Sequence, residues 1–132
     1  MSNKYVGSWR LESFSIEEPS GKVRPWGKNT HGMLIYSADG YMSVSINRDN
    51  EKKSGNDAKD LFDSILFYSG TYSTDSHSDA GDIIRHKVTN ASNPDRIGRD
   101  MIRYANLDGD LLTLKSPVEA FGQATLVWRK IK

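Results

Sequence analysis

Short runs in which apolar and polar residues alternate, each ended by a cluster of Gly, Asp, Asn, Pro or Ser, recur through nearly the whole chain. No other feature limits the fold as much. A period of two means strands that show one face to a core and the other to water. Turn clusters at such short spacing leave no room for the helical crossovers that a parallel sheet needs. The expected strands are residues 9–16, 33–37, 41–46, 67–74, 83–90, 99–106, 111–116 and 123–131. A short edge strand over 22–25 is ended by Pro25, which cannot donate to a ladder. Ala38-Asp39-Gly40 is a hairpin turn, and Leu107-Asp108-Gly109-Asp110 is another, with Asp108-Gly109 expected at the centre of a two-residue loop. One stretch breaks the rhythm. Over 57–66, Leu61 and Ile65, with Phe62 and Leu66, fall on one helical face behind a capping Asn56 or Asp57. It reads as a single short helix, most simply a lid over one mouth of a barrel. The expected fold is therefore all-β: one domain over residues 1–132, an up-and-down antiparallel barrel of about eight strands, nine with the edge strand.

Composition removes several classes of function. The chain carries 18 Lys and Arg against 17 Asp and Glu, a net charge of +1. There is no basic field to hold nucleic acid and no polybasic run for an anionic membrane. The absence of cysteine excludes a disulfide framework, a thiolate zinc site and a cysteine nucleophile, and permits a reducing compartment. The start of the chain has no apolar leader and no stretch is apolar over a membrane-spanning length, so a cytoplasmic protein is expected. No nucleophile elbow, zinc-protease helix, phosphate loop or dinucleotide fingerprint is present, and no metal or cofactor is expected. The sequence does not fix an oligomeric state.

Chemistry is then left to the barrel interior. Alternation turns Met42, Val44 and Ile46 inward, and turns Ile84, His86, Val88 and Asn90 away from the wetter Ile83, Arg85, Lys87 and Thr89. An inward imidazole either satisfies a buried Tyr or Ser, or meets a ligand. Arg103 lies either inward, as its partner or as an anchor for a carboxylate or enolate, or outward on an exposed strand face. Tyr68 and Tyr72 share a face; on the inner one their hydroxyls either project into a cavity or complete the core, and Tyr36 is similar. Trp26, between Pro25 and Gly27, either rims the mouth or packs beneath its own loop. His31 and His77 fall in polar loops and are expected to be solvated.

Gly7-Ser8-Trp9 before the first strand and Trp128-Arg129 in the last resemble the signature of the lipocalins and their relatives, the calycins. The likeness extends to the small lipocalin-like domain proteins of bacteria and fungi. It rests on the opening Gly7 to Phe14, the hairpin Gly32 to Val44, Tyr68-Ser69-Gly70-Thr71-Tyr72, and His86 followed by Pro94 and Gly98. Arg103 and Leu107 to Leu114 complete it. One departure stands out: Lys87 and Arg96 occupy a region where such proteins commonly carry a second His and an aromatic, so a role needing paired histidines is not expected. The resemblance implies that Trp9 plugs one end of the barrel with Arg129 across it, so that Gly7, Trp9 and Arg129 are structural. It also implies a small-molecule ligand, hydrophobic or amphipathic, oriented by His86, Arg103, Tyr68, Tyr72, Tyr36 and Trp26. The alternative is a cofactor-independent cyclase or isomerase of a polyketide- or fatty-acid-like substrate. There His86 would move the proton while Arg103 or a Tyr stabilised the oxyanion.

Overall fold

Nine strands form along the chain: β1 (Gly7–Glu17), β2 (Val23–Pro25), β3 (Thr30–Tyr36), β4 (Tyr41–Arg48), β5 (Ile65–His77), β6 (Gly81–Ala91), β7 (Asp100–Asp108), β8 (Leu111–Lys115) and β9 (Gln123–Lys130). They come from a computed structural model, which describes residues 4–26, 29–48, 62, 64–77 and 81–132. From β3 to β9 each strand pairs antiparallel with its neighbour in sequence. β1 pairs with β3 through Gly7 to Arg10, and along its other edge with β9 from Trp9 to Glu17. That second pairing closes eight strands into an up-and-down barrel. β2 stands outside the count, lying against the far part of β1 at Ser15 to Glu17. Among the described residues no helix is long and apolar enough to cross a membrane.

Two bulges set which side chains face inward. On β1 the register to β9 shifts between Leu11 and Ser13, leaving Glu12 as an extra residue. Trp9 and Leu11 point in before it, and Phe14 and Ile16 after it. On β6 the partners of Ser69 and Gly70 are Asn90 and Val88, so Thr89 is the inserted residue. This corrects the expected face of Asn90: Ile84, His86 and Val88 are buried, but beyond the bulge Asn90 is exposed. Gly70 allows the strands to approach here, since a Cβ on it would lie 1.8 Å from the Lys87 carbonyl oxygen.

The far end of the barrel is closed by Tyr5 and Trp9. The indole Nε1 of Trp9 donates to the Tyr5 carbonyl at 3.0 Å, the Tyr5 hydroxyl donates to Asp82, and Lys4 pairs with Asp82 at 3.2 Å. The cation over Trp9 is Lys130, its Nζ 5.5 Å from the ring centre, and not Arg129. Lys130 is the register partner of Trp9, whereas Arg129 lies one residue along and so on the opposite face, where it binds Glu12 at 2.6 Å.

Other expectations shift in detail. Asp108 pairs with Leu111, so the two-residue loop is Gly109-Asp110, with Gly109 at φ +60° in its first position. Most of the helix expected over 57–66 lies outside the described residues, and its last two positions, Ile65 and Leu66, begin β5. His31 is an exposed strand residue paired with Asn47, and His77 ends β5 opposite Gly81.

Candidate functional site

The inward faces of the eight strands do not fill the barrel. A cavity of about 230 Å³ remains toward the end opposite Trp9. Its walls are apolar on β1, β3, β4, β8 and β9, with Phe14, Leu34, Val44, Leu114, Leu126 and Trp128 among them. A cavity of 150 Å³ with such walls already holds a benzene-sized molecule, so the space suits a small ligand. Trp26, Arg96, Glu119 and Phe121 line the mouth. Trp26 stacks on Phe14, ring centres 4.9 Å apart and nearly parallel, with the Arg48 guanidinium 4.4 Å from its ring centre. Both readings of Trp26 are thus realised together: it packs on the core and rims the opening.

The polar groups gather on β5, β6 and β7. His86 is held on both sides: its Nδ1 meets the Tyr68 hydroxyl at 2.7 Å and its Nε2 the Tyr36 hydroxyl at 2.6 Å. Burial, with a smaller contribution from the Arg103 guanidinium, pushes the His86 pKa down to about 3, so the imidazole is neutral at physiological pH. Burial raises both tyrosines. The Tyr68 charge adds to the rise at Tyr36, while Arg103 opposes it at both and Arg96 opposes it at Tyr68. Arg103 reaches this group because Ile84 on β6 is its register partner, which puts it on the inner face with His86, and its Nη1 donates to the Ile102 carbonyl at 2.7 Å.

Of the six residues expected at a ligand site, His86, Arg103, Tyr68 and Trp26 line the cavity. Tyr36 and Tyr72 do not. Tyr36 stands behind His86, and Tyr72 packs against Tyr36 at 4.6 Å while its hydroxyl donates to the Ser37 carbonyl at 2.8 Å. Among the lining residues that the sequence reading did not put at a ligand site are Arg96, Met101 and Trp128. Trp128 and Met101 follow from alternation once β9 and β7 are placed. Arg96 carries no such signal, because it sits in a 3-10 turn, Pro94–Arg96, capped by Asn93 and folded toward the mouth. Among the described residues no three His, Asp or Glu side chains are grouped to hold a metal ion.

A neutral imidazole with both nitrogens engaged is a poor base, whereas guanidinium groups beside an apolar chamber orient an amphipathic molecule well. The family model for the lipocalin-like domain matches residues 6–131. No curated protein matches the chain.

Proposed function

Since this chain belongs to the lipocalin-like domain family, we propose that it binds one small hydrophobic or amphipathic molecule inside its barrel, acting as a single cytoplasmic domain over residues 1–132. The observation that carries this reading is the cavity of about 230 Å³, apolar on most sides, with Arg103, Tyr68 and His86 collected on one. Apolar walls supply affinity by removing ligand surface from water, and a few fixed polar groups set its orientation. Trp26 and Arg96 at the mouth are the first side chains an entering molecule meets. Tyr36 and Tyr72 serve the site from behind, by fixing His86 and the wall. Gly7, Trp9 and Arg129 have structural roles.

The cyclase or isomerase reading is the weaker of the two. It asks His86 to carry a proton, and burial between two tyrosines opposes that. Native mass spectrometry against a panel of small amphipathic molecules tests the binding reading. A one-to-one complex that dissociates on denaturation is expected. If no member of the panel adds with that stoichiometry, the barrel is not a binding chamber.

A further inference from the structure

The hydrogens around His86 can be assigned by accounting for each buried donor. Tyr36 is buried behind the cavity wall, and among the described residues its hydroxyl meets only His86 Nε2. Were the imidazole hydrogen on Nε2, the Tyr36 O–H would be left buried without an acceptor, which is strongly disfavoured. Tyr36 is therefore the donor and Nε2 the acceptor, and the neutral ring carries its hydrogen on Nδ1. Nδ1–H donates in turn to the Tyr68 oxygen at 2.7 Å. Arg103, which also acts on that oxygen, can only donate. The Tyr68 hydrogen then has no acceptor among the described residues, and Tyr68 lines the cavity. It faces whatever the cavity holds.

The remaining polar groups on the wall have the same character. Arg96 and Arg103 carry donors only, and the buried Trp128 has an indole N–H with no partner among the described residues. Ser116 is already committed: its hydroxyl donates to the Pro117 carbonyl at 3.0 Å and accepts the Ala124 N–H at 2.9 Å. The carboxylate of Glu119 belongs to the exposed mouth. The interior thus presents donors and positive charge against apolar walls, the complement of a head group that is anionic and rich in acceptors.

Resting on the reading that the barrel binds a small amphipathic molecule, we infer that this molecule is a carboxylate whose head group is held by Arg103 and the Tyr68 hydroxyl. Tyr36, acting through His86, is a positioning residue that keeps the Tyr68 hydrogen turned into the cavity.

Calorimetric titration with octanoate, methyl octanoate and octylamine tests the assignment, together with the nitrogen and proton resonances of His86 at neutral pH. Octanoate is expected to bind at least about tenfold more tightly than methyl octanoate, with octylamine weaker still. His86 is expected to carry its hydrogen on Nδ1 both with and without octanoate. Tyr36→Phe, which lies outside the cavity wall, should weaken octanoate about tenfold and leave methyl octanoate within about twofold. Arg103→Met should abolish the preference for octanoate. Should Tyr36→Phe fail to fold, Tyr68→Phe, which deletes the ligand-facing hydroxyl, is measured in its place and should weaken octanoate about tenfold. Equal affinity for the three compounds would overturn the carboxylate assignment and leave the binding barrel standing. A hydrogen on Nε2 would overturn the role given to Tyr36. Binding of none of them would overturn the binding reading itself.

Discussion

At the scale of single residues, His86 is where stability and the site meet. The unfolded chain takes up a proton on this imidazole near the ordinary value of 6.5, whereas the folded protein resists until about 3. Between those values the unfolded state binds the extra proton. Stability is therefore full above about pH 6.5 and falls as the pH drops, by up to about 1.4 kcal/mol per pH unit. His86→Phe should remove this component, so that urea unfolding shows a shallower acid-side slope. At neutral pH the same variant should lose about 3 kcal/mol, because the buried Tyr36 hydroxyl is left without an acceptor and the Tyr68 oxygen loses one of its two donors. The two residues of the end signature should behave oppositely. Trp9→Ala empties a fully buried site and is expected to cost about 3–5 kcal/mol. Arg129→Ala removes a half-exposed ion pair with Glu12 and should change the midpoint of thermal unfolding little, by less than about 1 kcal/mol in stability. A large loss at Arg129 would mean that it, and not Lys130, caps the indole.

At the scale of elements, the strands declare themselves through alternation, and they do so until the backbone inserts a residue. Met42, Val44 and Ile46 on β4 are all inside, as are Ile84, His86 and Val88, because those stretches are regular. Asn90 is not, since the bulge at Thr89 turns the rest of β6 over, and no side-chain pattern announces where such a bulge will fall. The hydrogen-bond partners of His86 are equally hidden in sequence, because they come from β3 and β5, 50 and 18 residues away. Gly70 is the visible trace of the bulge. Gly70→Ala must push β5 from β6, and is expected to cost roughly 3 kcal/mol and to speed amide exchange in both strands. The loop residue Gly109, where a Cβ would meet nothing within 4 Å, makes the control. Gly109→Ala suffers only from its positive φ and should lose about 1 kcal/mol. Equal losses at the two positions would contradict the close approach at Gly70.

At the scale of the whole molecule, closure through β1 and β9 creates a barrel with two different ends. One is filled by Tyr5, Trp9 and Tyr36, and the other keeps a chamber beneath Trp26 and Arg96. The sequence makes the closed end legible through Trp9 and the count of strands. It does not reveal the chamber, because whether inward side chains meet or fall short depends on the register and bulges of all eight strands together. If this chamber holds the ligand, filling it removes binding. Ala124 is a small, buried residue on its wall, and Ala124→Phe extends a ring into the space at a tolerable cost of about 1–3 kcal/mol. The measurement is calorimetric titration of octanol and octanoate into wild-type protein and into Ala124→Phe, each shown to be folded by circular dichroism. Saturable one-to-one binding to the wild type, lost in Ala124→Phe, is the expected result. Undiminished binding to the filled barrel would place the ligand outside this chamber.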